Sequence, residues 1–252
     1  MPTDTMSELL GDLEAEQALL TDVLETLDRD DWFRPTPAWS WDVRDTIAHL
    51  ADTDELAIDT CLDGPRSLTA FSAQCASPED LTFAGVLKGR RLAGLDVLAW
   101  WQETQARERE VLRSLDPDGR VPWGLGMRST SFVVARLMEA WAHSLDVHAA
   151  LDAPFADTDR LRHVAWIGTR ALPYAYSVAG VEAPAEPLRV ELSLPSGASW
   201  TYGPETASDR IVGPASEYCR VFVQRLRPEE APNLTTTGAG ARRSLGVARS
   251  FL

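Results

Sequence analysis

The sequence predicts an α-helical bundle followed by a small α+β domain, and three observations support this fold class. From residue 6 to residue 178, apolar side chains recur with the three-four spacing of amphipathic helices. Residues 181–187 (VEAPAEP) then form a proline-rich connector that breaks the helical pattern. Beyond it, residues 188–202 alternate between apolar and polar positions, as the strands of a hairpin do. We therefore predict a helical domain at 1–180 and an α+β domain at 181–252.

The helical part divides into several amphipathic stretches. Their predicted bounds are 6–27, 41–59, 81–115, 129–151 and 158–178. Ser40 is predicted to cap the second helix, because a serine side chain there accepts a hydrogen bond from a free amide of the first turn. Pro173 is expected to kink the last helix, since proline has no amide hydrogen to donate. Residues 61–78 are predicted as a loop.

The C-terminal part begins with a hairpin signature. Two alternating segments flank the turn formed by Pro195, Ser196 and Gly197. Further along, proline suits the first position of a helix, so Pro214 is predicted to begin one. The predicted elements are strands at 188–194 and 198–202, a short strand at 210–212, a helix at 214–226, a strand at 234–237 and a helix at 239–251. This mixture of strands and helices indicates an α+β domain.

The composition indicates an ordinary globular protein and argues against two classes of partner. The chain has 252 residues with 24 basic against 38 acidic side chains, so its formal net charge is −14. A nucleic-acid interface needs clustered cations, which this balance does not favour. No stretch approaches the roughly 18 uncharged apolar residues that a membrane span needs. The first residues, MPTDTMSELL, lack the basic start and apolar middle of a secretory signal, so we expect a cytoplasmic protein.

The helical part carries a set of residues with the character of metal ligands. Glu139 and His143 are four residues apart in a helical stretch, so their side chains stack on one face. A carboxylate and an imidazole so placed can bind one ion, and open zinc sites use three protein ligands of these types. The third ligand must come from another helix, and His49 in the apolar stretch IAHLA is the candidate. The sequence therefore predicts an open divalent-metal site, with zinc as the metal.

The same residues have simpler interpretations. A glutamate and a histidine four residues apart often form a surface ion pair, and a histidine among apolar neighbours is often a hydrogen-bonded core residue. Two acids could orient the histidines from behind, namely Asp146, three residues after His143, and Asp45, one turn before His49. Either acid could equally be a solvated surface residue.

Two motifs resemble one known family. Residues 32–49 (W-x2-P-T-P-x-W-S-W-D-V-R-D-T-I-A-H) are similar to the second-helix motif of the DinB-like metal-binding bundles. Residues 136–146 (RLMEAWAHSLD) resemble the E-x-x-x-H metal helix of those proteins. The resemblance covers roughly residues 6–178 and looks strongest to the branch that includes mycothiol-dependent maleylpyruvate isomerase. Within that branch, the chain is similar to an actinobacterial-type metal-binding subgroup.

The resemblance implies a four-helix core in which His49, Glu139 and His143, which match the family's ligands one for one, hold zinc. It also implies that the α+β domain is of the sterol-carrier type. If it extends to mechanism, mycothiol is the thiol cosubstrate of an isomerase or S-transferase that acts on a small electrophilic or acidic metabolite. Two alternatives remain open: a protein that binds a metal or small ligand without turnover, and a metal-water hydrolase of the same fold.

Three further residues are candidates for a substrate pocket. Trp39 and Trp41 lie just before the helix that carries His49 and could wall the mouth of a pocket there. Packing is the alternative for both, because large aromatic side chains anchor helix bundles. Arg210, in the C-terminal domain, is a candidate for holding an acidic substrate, although no family motif supports it. Dimerisation of two identical chains through a helix face is a further possibility.

Overall fold

Residues 5–38, 40–124 and 126–250 are described by a computed structural model. The chain divides into two units, Met1–Phe155 and Ala156–Leu252. The helices of the first unit are α1 (Met6–Leu24), α2 (Val43–Leu62), α3 (Leu68–Ser72), α4 (Pro78–Gly89), α5 (Gly94–Ser114) and α6 (Ser129–Ala150). A short 3₁₀ helix at Asp31–Phe33 precedes α2, and a two-stranded ribbon of β1 (Arg120–Val121) and β2 (Met127–Arg128) joins α5 to α6.

The long helices α1, α2, α5 and α6 form a bundle. Helix α2 packs against α5 and α6, and α1 packs against the same two helices. Each pair that meets contributes an apolar face, as the three-four spacing of the sequence predicts. The core between α1, α2 and α5 includes the fully buried side chains of Leu20, Ile47 and Trp101. The bundle thus brings the middle of α2 against α6, where the predicted ligands lie.

The start of α2 differs from the prediction. Asp42, not Ser40, is the N-cap, and its side chain accepts a hydrogen bond from the amide of Asp45. Ser40 adopts a left-handed conformation with φ of 61°. Such a backbone cannot lead directly into a helix, so the cap moves two residues along the chain. The helix accordingly begins at Val43 rather than at Trp41.

The helix predicted at 81–115 is in fact two helices, α4 and α5. A Cβ atom on Gly94 would lie 2.2 Å from the ring of Trp32, so the chain approaches that ring more closely than any other residue would allow. Helix α4 ends at Gly89 and α5 begins at Gly94, the residue that lies against this ring. The predicted loop at 61–78 also contains one short helix, α3.

The second unit contains helices on a four-stranded sheet. Its elements are α7 (Leu161–Ala179), β3 (Leu188–Ser193), β4 (Ser199–Tyr202), β5 (Asp209–Pro214), α8 (Ala215–Phe222), β6 (Thr235–Thr237) and α9 (Ala239–Gly246). The strand order is β4-β3-β5-β6, with β3 and β5 parallel and the other pairs antiparallel. The predicted hairpin is confirmed as β3 and β4. The sterol-carrier resemblance of this unit stays a prediction.

The division between the units falls before α7, whereas the sequence analysis placed it at residue 180, after that helix. Contacts between α7 and α8 explain why α7 belongs to the second unit. The hydroxyls of Thr169 on α7 and Tyr218 on α8 lie 2.7 Å apart and are buried. Gly168 faces the ring of Phe222 so closely that a Cβ atom there would lie 2.9 Å from it. The proline-rich connector therefore marks the end of a helix rather than the end of the first unit.

Among the described residues, no helix is long and apolar enough to cross a membrane.

Candidate metal centre

The structure brings His49, Glu139 and His143 together. Each offers a ligand atom, and these atoms all lie within 4.8 Å of one another. Nε2 of His143 lies 3.6 Å from a carboxylate oxygen of Glu139, and the two imidazole rings are 5.0 Å apart between centroids. Both histidines are buried, whereas Glu139 is half-buried. This convergence requires both helices, because α6 alone carries only two of the three side chains.

Asp146 orients one of the rings. Its carboxylate lies 3.0 Å from Nδ1 of His143, and it is buried one turn further along α6. An acid in this place accepts a hydrogen bond from Nδ1, so Nε2, which faces Glu139, is the nitrogen that would bind a metal ion after losing its proton. The interaction therefore fixes both the tautomer and the direction of the His143 ring.

Charge interactions set the protonation of the three side chains. Burial opposes ionisation of Glu139, but the hydrogen bond from His143 and the charges of His143 and Arg136 together lower its pKa to about 2. Burial also lowers the pKa of His143, yet its hydrogen bonds with Asp146 and Glu139 outweigh this and raise the pKa above 6.5. For His49, burial and the nearby charge of His143 lower the pKa to about 3. Glu139 is thus an anion and His49 is neutral at pH 7, which are the protonation states that metal ligands need.

One buried atom supports the fit of a metal ion to these residues. Nδ1 of His49 is buried and has no partner in hydrogen-bonding geometry among the described residues. A buried polar atom without a partner costs free energy, and coordination of a cation would satisfy a ring nitrogen of this kind. Two imidazoles and one carboxylate are also the donor types of zinc sites that keep an open position. The residues therefore fit a divalent ion such as zinc.

Trp41 lies beside the three side chains. Its ring centroid is 4.9 Å from that of His49 and 6.2 Å from that of His143, so it borders the candidate centre, while its role as the wall of a substrate pocket stays a prediction. Its carbonyl accepts hydrogen bonds from the amide and the hydroxyl of Thr36. Nη2 of Arg90 donates to the carbonyl of Ser40 at 3.3 Å. These bonds hold the backbone that presents Trp41.

The other predicted neighbours have different surroundings. Asp45 is buried and forms a 2.7 Å ion pair with Arg90, so its described partner is not His49. Arg210, in the second unit, forms a 2.9 Å hydrogen bond with Glu191. Trp39 lies outside the described residues. An orienting role for Asp45 and a substrate-binding role for Arg210 stay predictions.

A buried ion network adjoins the centre, and the sequence analysis did not identify it. Arg136, one turn before Glu139 on α6, donates to Asp54 on α2 at 2.5 Å and to Glu108 on α5 at 2.8 Å. It also donates to the hydroxyl of Thr53 at 3.2 Å. The network joins three helices of the bundle next to the ligands. The placement of Arg136 one turn from Glu139 within an otherwise apolar stretch was the one available signal.

The comparisons with known proteins identify the same family that the sequence motifs resemble. The family profile described as the mycothiol maleylpyruvate isomerase N-terminal domain matches residues 13–148, more than half of the chain. Two uncharacterized proteins of Mycobacterium tuberculosis, from strains CDC 1551 / Oshkosh and ATCC 25618 / H37Rv, are each 36% identical over 244 residues, which cover 96% of this chain and 94% of the relative.

Two solved structures have a similar fold. They are crystal structures of mycothiol-dependent maleylpyruvate isomerase and of its variant with one histidine changed to alanine. Each superposes with a TM-score of 0.61 at 16% identity, over 92% of this chain and 93% of the solved one.

Proposed function

This chain belongs to the family of the mycothiol maleylpyruvate isomerase N-terminal domain, and from that premise we propose that it is a thiol-dependent isomerase or S-transferase. Its cosubstrate is mycothiol or a similar low-molecular-weight thiol, and its substrate is a small electrophilic or acidic metabolite. A divalent metal ion, zinc, is held by His49, Glu139 and His143. The observation that carries the proposal is the convergence of these three side chains within 4.8 Å.

The chain's own residues have separable roles in this proposal. Glu139 supplies the negative charge of the site, and Asp146 holds the ring of His143 with Nε2 toward the site. The indole of Trp41 covers His49 and limits the access of water on that side. When bound, a zinc ion would supply a Lewis acid that lowers the pKa of a thiol and so favours the nucleophilic thiolate at neutral pH.

The proposal requires that the three side chains bind a metal, and the first experiment measures this directly. Protein purified without added ions is analysed for metal content, and we expect close to one equivalent of zinc (about 1:1, as three ligands for one ion imply). The variant Glu139→Gln keeps the size of the side chain but removes the anion, so its metal content should fall strongly. A folded wild type that contains no metal and cannot be loaded with zinc contradicts the proposal.

His148→Ala is the matched control. His148 is on the same helix, but its Nδ1 bonds to the carbonyl oxygen of Ser144 at 2.8 Å and not to the site. Its replacement should leave the metal content at the wild-type level. Equal losses in His148→Ala and Glu139→Gln would indicate damage to α6 in general rather than loss of a ligand.

The second experiment tests the reaction class. The zinc-loaded protein is assayed with mycothiol against maleylpyruvate and a panel of small electrophilic acids, with and without the thiol. We expect conversion that requires the thiol and is lost in Glu139→Gln. Conversion without thiol would favour a metal-water hydrolase instead. Thiol binding with no conversion across the panel would favour a binding protein.

A further inference from the structure

The bundle core holds one cation against two carboxyl groups. The side chains of Arg136, Asp54 and Glu108 are 4%, 3% and 1% exposed, so water does not solvate their charges. If both carboxyl groups were ionised, the set would carry a net negative charge in the interior. Burying an uncompensated charge is strongly unfavourable, and a carboxyl group avoids it by keeping its proton.

The hydrogen bonds of the network leave one oxygen without a donor. The oxygens of Asp54 accept hydrogen bonds from Arg136 and, at 3.1 Å, from Nε1 of Trp101. Oε1 of Glu108 accepts from Arg136. Oε2 of Glu108 is buried and has no partner among the described residues if it carries no proton. A hydrogen bond from Glu108 is one of the interactions that favour the ionised form of Asp54.

We propose that Asp54 and Glu108 share one proton at neutral pH, carried on Oε2 of Glu108 and donated to Asp54. One proton then meets both requirements of the geometry: the three side chains become neutral as a set, and the unpartnered oxygen gains a hydrogen bond. The chain therefore has a proton-binding site in its core that is separate from the candidate metal centre. This inference does not depend on the proposed function.

The charged and titratable groups around Arg136, Asp54 and Glu108 do not remove the need for the shared proton. The charge of Arg109, the next residue on α5, favours the ionised form of Glu108, but Arg109 is already engaged by Glu14 and Gln17. The thiol of Cys61 on α2 is neutral, because burial raises its pKa to about 12. The charge of Arg136 also acts on Glu139 and His49.

The balance of these effects favours the protonated form of Glu108. Burial and the charge of Asp54 outweigh the attraction of Arg136 and Arg109 and raise the pKa of Glu108 to about 8. In the unfolded chain the same group has an ordinary pKa near 4.5. Because the folded value is the higher one, the contribution to stability is fully present below about pH 4.5 and is lost as the pH rises through about 8.

The experiment compares the wild type with Glu108→Gln, since a glutamine amide donates to Asp54 without titrating. Unfolding equilibria are measured by chemical denaturation from pH 5 to pH 9.5. The unfolding constant of the wild type, divided by that of Glu108→Gln, should rise about tenfold per pH unit up to about pH 8 and then level off. Groups common to both proteins cancel in this ratio. The control is Glu110→Gln, the same change at an exposed position of α5, which should give a flat ratio.

A second measurement does not depend on stability. Difference infrared spectra of the wild type minus Glu108→Gln at pH 7 should show the carbonyl stretch of a protonated carboxyl group. The proposal would be overturned by a ratio of unfolding constants, wild type to Glu108→Gln, that does not change with pH. The absence of this band at pH 7 would also overturn it. If Glu108→Gln does not fold, Asp54→Asn replaces it. If neither variant folds, the band of the wild type alone decides, because it must disappear as the pH is raised through about 8.

Discussion

The ring of His143 is held from both sides, by Asp146 at Nδ1 and by Glu139 near Nε2. A ligand imidazole binds a metal through one nitrogen, and the hydrogen bond at the other decides which nitrogen is available. Asp146 therefore acts on the candidate metal centre through His143, without touching the ion itself.

Asp146→Ala should weaken zinc binding on the order of 10- to 100-fold, as is typical when an acid behind a ligand histidine is removed. Without the carboxylate, the ring can turn, and either nitrogen can carry its proton. The measurement is competition for zinc with a chelator of known affinity, with His148→Ala as the control on the same helix. Unchanged zinc affinity in a folded Asp146→Ala protein would show that Asp146 does not orient a ligand.

At the level of single residues, the sequence predicted the candidate ligands but not the buried ions next to them. Glu139 and His143 have a helical spacing, and a motif resemblance connects them to His49. Asp54 and Glu108 have no such signal, because an acid in an amphipathic helix normally belongs to the solvated face. Only the folded structure shows that they are buried, because there α6 brings Arg136 into contact with both carboxyl groups.

Among the elements, α2, α5 and α6 are joined by the guanidinium of Arg136 as well as by their apolar faces. A buried ion pair contributes little net stability, since desolvation offsets most of the attraction. Removal of one partner is different, because the other charge is then left in the core alone. The network therefore makes the packing of these helices sensitive to single changes.

Arg136→Met should lower the free energy of unfolding by roughly 3–5 kcal/mol at pH 7, because it leaves a carboxylate buried without its cation. Chemical denaturation measures this, with Arg107→Met, at an exposed position of α5, as the control. The triple variant Arg136→Met, Asp54→Leu, Glu108→Leu should regain most of the loss, because no charge remains to be desolvated. A cost below about 1 kcal/mol for the single variant would contradict this account.

The helices themselves were largely predictable, but their bounds depended on contacts that the sequence does not show. The three-four spacing gave the long helices of the bundle. It did not reveal the break between α4 and α5, at which Gly94 lies against Trp32. It also placed the cap of α2 at Ser40, since serine and aspartate are both good caps and only the backbone conformation distinguishes Ser40 from Asp42.

For the whole molecule, the main difference between the sequence-based prediction and the structure is the unit to which α7 belongs. Its amphipathic pattern resembles that of the bundle helices, so the sequence assigned it to the first domain. A pattern shows that a helix has an apolar face but not which element covers that face. In the structure, the covering elements include α8, through Tyr218 and Phe222.

Gly168→Ala tests this assignment. A Cβ atom at Gly168 would lie 2.9 to 3.1 Å from atoms of Phe222, so the contact between α7 and α8 must open. Overpacking of this kind costs about 1–3 kcal/mol, more than the gain of up to about 1 kcal/mol from alanine in a helix. Hydrogen exchange should then show loss of protection in α7 and α8 together, whereas α6 should keep its protection.

Gly246→Ala is the matched control, since a Cβ atom at Gly246 in α9 would meet nothing within 4 Å. It should change protection in α7 and α8 little. If α7 keeps its protection in Gly168→Ala while α8 loses it, α7 folds with the bundle, and the boundary belongs at residue 180. If the two helices lose protection together, α7 folds with the sheet domain, because the contact that was disturbed is the one that holds it.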